Sequence, residues 1–151
     1  MKTYYLTLSK VFPSTHAKAG MPTYFEEKLT QHTKLHTIRA NYELWKKRFE
    51  QIAAGKAVLS IRVWVGKPYG KGSTQREISR LTREDGIGIQ KLRIYEHEPL
   101  PVVYADRYTT PVDWQELAAN DGLSLSDWRE WFKDCDLSQP LAIIHFTPFR
   151  Y

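Results

Sequence analysis

Between Ala57 and Val65 an apolar residue stands at every second position. Ala57, Leu59, Ile61, Val63 and Val65 share one parity, and Ser60, Arg62 and Trp64 fall on the other. A period of two over nine positions predicts a strand with one apolar face. The same period over residues 2–9, with Tyr4, Leu6 and Leu8 in register, predicts a first strand. Pro13 to Pro22 then reads as a loop. Thr23 followed by Glu26 is the pattern of a capping box and opens a short helix with Phe25 and Leu29 as an i,i+4 apolar pair. Trp45, Phe49, Ile52 and Ala53 recur at helical spacing between Asn41, a predicted N-cap, and Gly55, a predicted stop.

Further along, Glu77–Thr82 continues as a strand or an irregular turn. Ile87–Tyr95 is a strand whose apolar parity switches from Ile87 and Ile89 to Leu92 and Ile94, which one β-bulge would explain. Pro99 and Pro101 frame an edge strand through Val102, Val103 and Tyr104. Asp113 with Glu116 caps a short helix that Gly122 ends, and Ser124 with Asp127, or Ser126, caps the next. Trp128, Trp131 and Phe132 form an aromatic stripe that reads as core packing. Leu141–Thr147 closes the chain as an apolar strand. The order β, α, α, several strands, α, α, β predicts one α+β domain over residues 1–151. Its mixed or antiparallel sheet is expected to curl into a small barrel with flanking helices.

Composition narrows the function classes. The 42% hydrophobic and 26% charged residues are those of a globular chain. A net charge of +5 points to acidic partners, nucleic acid first among them. Positive charge concentrates in the centre, at Arg62, Lys67, Lys71, Arg76, Arg80, Arg83, Lys91 and Arg93. The single cysteine, Cys135, excludes an internal disulfide and suits a reducing cytoplasm. No stretch has the apolar length of a membrane span, so no membrane is expected. The histidines offer no convincing ligand spacing, and neither a metal nor a cofactor is expected.

Candidate chemistry gathers at Lys34-Leu35-His36-Thr37-Ile38-Arg39. In an extended segment Thr37 and Arg39 share a face and Ile38 points inward, while Lys34 meets Thr37 only if the chain bends. Arg62 beside Trp64 on one strand face suits stacking on a base or a grip on phosphate, or simply a cation–π pair. Gly66–Thr74 is a basic, glycine-rich hairpin tip that lacks the spacing of a P-loop.

Three pieces in order resemble the ASCH family of small proteins with a PUA-like β-barrel. They are Lys34-x-x-Thr37-x-Arg39, the run Leu59–Tyr69 through Gly66-Lys67-Pro68-Tyr69, and Asn120-Asp121-Gly122-Leu123-Ser124 before the last helix. The resemblance covers the chain from about residue 24 onward. It implies a cleft for RNA or nucleotides between the barrel and its helices. It also implies, for some members, amide hydrolysis of N-acetylated cytidine nucleosides without metal. Carried onto this chain, the catalytic set is Lys34, Thr37 and Asp121, and the family arginine is Arg39. Arg39, Arg62, Trp64, Lys67, Tyr69 and Lys71 are the expected ligand-binding residues. Two positions depart from the family pattern: His32-Thr33 stand where a glycine usually precedes the lysine, and the acid is aspartate rather than glutamate.

Two expectations of different classes follow. One is a hydrolase of a modified pyrimidine nucleoside, in which Thr37 attacks, Lys34 takes its proton and Asp121 assists. The other is an RNA-binding module, or a ribonuclease, using the same cleft. The Lys34 and Asp121 pair would serve equally as a salt bridge across the barrel mouth. The oligomeric state is not written in these residues.

Overall fold

A computed structural model describes all residues, 1–151. Strand β1 (Lys2–Thr7) is followed by helix α1 (Phe25–Thr30), β2 (His36–Arg39) and helix α2 (Tyr42–Ala53). Then come β3 (Ala57–Val65), β4 (Thr74–Leu81), β5 (Gly88–Arg93), β6 (Val102–Tyr104) and β7 (Thr109–Pro111). Helices α3 (Trp114–Asn120) and α4 (Leu125–Trp131) precede the last strand, β8 (Leu141–His145).

The strands form two sheets rather than one closed barrel. One has the order β1-β3-β4, with β1 parallel to β3 and β3–β4 an antiparallel hairpin. The other, β2-β8-β5-β6-β7, is antiparallel throughout. The inward parity of β3 is as the alternation predicts at Leu59, Ile61 and Val63, which are buried, whereas Val65 emerges at the hairpin. The opposite parity is closed too at Val58 and Ser60, and opens only from Arg62 onward. All five residues of β8 are buried, because that strand lies between two neighbours in the sheet and against α2. Each fully buried aliphatic side chain of this kind contributes about 1.5–3 kcal/mol through removal from water.

Helix α2 has the predicted ends. Asn41 Oδ1 accepts the Leu44 N–H at 3.3 Å, and Gly55 leaves the helix at φ 75°. Asn41 itself sits at φ 63°, in the left-handed region. Asn41→Ala therefore loses a cap and places a Cβ where it is disfavoured, at an expected cost of about 2 kcal/mol. Asn41→Gly loses the cap alone and is expected to cost less. Urea titration of both variants checks the order, and equal cost would contradict the backbone contribution.

Three local expectations need correction. Thr23 makes no capping box: its hydroxyl donates to the Ser9 carbonyl at 2.7 Å, Tyr24 is the N-cap residue, and Glu26 pairs with Arg76. The β5–β8 register runs unbroken from Gly88 to Leu92, so no bulge lies there; Ile87 precedes the strand, and Gln90 is the buried partner of Leu92 on that face. The bulge falls instead in the β3–β4 hairpin, at Ile61/Arg62. Finally, β6 is not an edge, because β7 pairs with its outer side and carries Pro111 there.

Candidate active site

Helix α1 ends in a turn at His32, φ 60°, after which the Thr33 and Lys34 N–H groups both donate to the Lys28 carbonyl. Lys34 thus lies before β2 and is not bound by strand parity. Its stem packs on Gly122, where an added Cβ would come within 3.3 Å of Lys34 Cβ, Cγ and Cδ. Gly122 stands at φ 83° just beyond α3, so a side chain there would meet both strain and collision.

The Lys34 side chain is 1% exposed, and its amine is held inside. It donates to the Asp121 carbonyl at 2.6 Å and to Asp121 Oδ1 at 3.1 Å, and lies 4.1 Å from the centre of the Phe25 ring. Asp121 closes α3, and its Oδ2 accepts the Trp128 indole N–H at 3.1 Å. Burial drives the Lys34 amine below its ordinary range and outweighs the Asp121 charge, which favours the ammonium. Arg39 and Lys28 nearby push the same way as burial. For Asp121, burial would raise the carboxyl, but the Lys34 charge and the His36 ring together hold it below its usual value.

Thr37 and Arg39 share a face of β2, as their parity requires. Arg39 Nη1 donates to Thr37 Oγ1 at 2.8 Å, which leaves the hydroxyl proton free to be given away. The guanidinium also donates to the Ile38 and Thr7 carbonyls, tying β2 to the end of β1. Lys34, Thr37, Arg39 and Asp121 all line one cavity of about 450 Å³. Its walls include Phe25, Trp131 and Phe132, and Cys135 stands among its lining. The aromatic stripe of α4 is thus divided: Trp128 is core and Asp121 donor, while its two neighbours face the cavity.

The other predicted ligand residues are spread along the β1–β3–β4 sheet. Trp64 and Tyr69, their rings 4.8 Å apart, line a second hollow of about 460 Å³, which shares Thr7, Leu8 and Ser9 with the first. Arg62 lines neither hollow; its Nε donates to Ser60 Oγ and its guanidinium lies over the Tyr5 ring. Lys67 and Lys71 are exposed on the hairpin tip and line neither hollow. No group of three or more His, Cys, Asp or Glu side chains is placed to hold a metal ion, and no helix is long and apolar enough to cross a membrane.

Four contributors carry no sequence signal for the role they play here: Phe25 under the amine, Trp128 on the carboxylate, His36 beside it, and Tyr151 against His36. His36 and His145 are fully buried, and burial pushes both imidazoles below 6.5, His145 to about 2. The unfolded chain therefore takes up protons that the folded chain refuses. Their contribution to stability is complete above 6.5 and is lost as pH falls toward the folded values. The expected loss is about 1.4 kcal/mol per pH unit for each ring. Urea unfolding near neutral pH and near about pH 5 measures it, and equal stabilities would contradict two neutral buried rings.

Comparisons of the chain with protein-family models, with curated proteins and with solved structures gave no match.

Proposed function

We propose that this cavity is the active site of a metal-free amidohydrolase that takes an N-acylated pyrimidine nucleoside. One observation carries the reading: a fully buried amine with a depressed pKa and a threonine hydroxyl gripped by arginine open on the same aromatic-walled cavity. A cavity of this volume is within the usual range for a small ligand, and its rings suit a planar base. The Lys34, Thr37 and Arg39 spacing adds the ASCH resemblance, and the two sheets then correspond to an open PUA-like barrel. A reducing, cytoplasmic setting suits the free Cys135 thiol.

The chemistry runs in two halves. Thr37 Oγ attacks the acyl carbon while neutral Lys34 takes the hydroxyl proton. Arg39, already on Thr37 Oγ1, lowers the cost of the negative charge that develops there. The C–N bond breaks, the Lys34 ammonium returns its proton to the exocyclic amine, and the acyl group rests on Thr37 as an ester. Water, deprotonated by Lys34, then attacks the ester carbon; the bond to Thr37 Oγ breaks, the Lys34 ammonium returns its proton to that oxygen, and the carboxylic acid leaves. Asp121 keeps Lys34 in place through both of its contacts.

A second reading rests on the Trp64–Tyr69 pair beside the cavity and the exposed lysines of the hairpin, which suit single-stranded RNA. Salt separates the two. Release of cytidine and acetate from N-acetylcytidine is expected to be nearly equal at about 50 and about 200 mM salt, because the nucleoside carries no phosphate. No release, together with RNA binding that weakens steeply over the same range, would favour a recognition surface instead.

A further inference from the structure

Beside Asp121 lies a partly buried polar cluster whose members Asn120, Tyr151 and His36 the proposed chemistry does not use. Asn120 Nδ2 donates to the Tyr151 phenol oxygen at 3.0 Å. That oxygen is 2.6 Å from His36 Nε2, and His36 Nδ1 faces Asp121 Oδ1 at 3.7 Å. Tyr151 is anchored through its backbone, whose N–H donates to Gln90 Oε1 and whose main-chain oxygen accepts from Gln90 Nε2. Gln90 Oε1 also lies 2.9 Å from His145 Nε2, which must therefore be that ring's N–H.

The direction of these bonds follows from counting hydrogens. An amide nitrogen only donates, so the Tyr151 oxygen accepts from Asn120. Its own single hydrogen then has one nearby acceptor, His36 Nε2, if that nitrogen is bare. A neutral imidazole with a bare Nε2 carries its hydrogen on Nδ1. That nitrogen is buried without a hydrogen-bond partner, and the Asp121 carboxylate 3.7 Å away is beyond hydrogen-bond length but attracts its N–H. The opposite tautomer leaves the phenol hydrogen idle and sets a nitrogen lone pair against a buried carboxylate oxygen.

Resting on the reading that Lys34 is the base, we propose that Asn120, Tyr151 and His36 form an oriented chain that presents an N–H to Asp121 and so tunes its hold on Lys34. Tyr151 and His36 are positioning residues, touching no substrate. The charged and titratable groups around Lys34 are Asp121, Arg39 and Lys28; those around His36 are Asp121, Lys34, His145 and Tyr151. Removing the N–H from its approach to Asp121 leaves more of the carboxylate charge for Lys34. The ammonium is then favoured, and the base is neutral over a narrower pH range.

The test combines nitrogen NMR of labelled protein with the pH profile of N-acetylcytidine hydrolysis. In the wild type, His36 is expected to show a protonated Nδ1 and a bare Nε2. Tyr151→Phe is expected to weaken that preference. It is also expected to raise the Lys34 titration by about one pH unit, which is about tenfold less neutral amine at pH 7. The hydrolysis profile shifts with it, and its high-pH plateau stays near the wild-type value. A wild-type His36 protonated on Nε2 overturns the proposal without any variant. So does a folded Tyr151→Phe protein with unchanged Lys34 titration, which leaves Tyr151 only a packing role. If nothing is hydrolysed yet the tautomer and the titration behave as stated, the chain stands and the hydrolase reading falls.

Discussion

Thr37→Val is expected to lower hydrolysis of N-acetylcytidine by about 10³-fold or more while leaving the protein folded. Valine keeps the shape of threonine and removes only the attacking oxygen. Thr37 is buried, so a shape change would perturb packing, and valine avoids that. Arg39 Nη1 loses its hydroxyl partner but retains the Ile38 carbonyl, and Nη2 retains Thr7. The stability cost is therefore expected to stay at about 1–2 kcal/mol, that of one buried donor left partly satisfied. Initial rates and a urea titration on the same preparation check both parts. A variant with wild-type turnover would remove Thr37 from the chemistry.

Asp121→Ala is expected to give the largest loss of stability, about 3–5 kcal/mol near neutral pH. The change removes the one group that opposes burial of a Lys34 charge, so the amine must give up its proton to stay in the fold, and it strips the Trp128 indole N–H of its acceptor. The pH dependence identifies the cause. In the variant, burial lowers the Lys34 amine without the opposing carboxylate, so the unfolded chain, titrating near 10.5, binds the extra proton. Stability is then regained as pH rises toward 10.5, whereas a simple packing defect would be indifferent to pH. In the wild type, the Asp121 contribution has the opposite edge. With its pKa lowered in the fold, it is complete above 3.8 and is lost as pH falls through the folded value.

Periodicity carried much of this architecture, where one face of an element is buried and the other is not. Strand β3 could be read from its alternation, and α2 from its 3.6-residue spacing with caps at both ends. Failures came where tertiary pairing overrode a local pattern. Thr23 has the spacing of a capping box, but its hydroxyl donates to the nearby Ser9 carbonyl instead. The parity switch in residues 87–95 looked like a bulge because Gln90 is buried and polar, its amide being spent on Tyr151 and His145. Strand β7 is three residues long and ends in proline, too short to show a period.

The site divides in the same way. Thr37 with Arg39 follows from parity alone, because their side chains must share a face. The meeting of Lys34 with Asp121 does not, since 87 residues separate them and only the packing of the α3–α4 junction on the α1 turn joins them. Phe25, Trp128 and Tyr151 gave no sign in one dimension: an aromatic ring that supports a buried amine has the same spacing as one that fills a core. Trp131 and Phe132 illustrate the point, for the stripe that reads as packing also forms the cavity wall.

The most direct test of the Lys34–Thr37 site is N-acetylcytidine hydrolysis by the wild type, Lys34→Met, Thr37→Val and the double variant. Methionine keeps the apolar stem against Gly122 and removes the amine. If hydroxyl and amine act as one unit, each single change brings the rate to a common floor, and the double variant falls no further. A wild type that releases no cytidine, or single variants that keep its rate, would contradict an active site in this cavity.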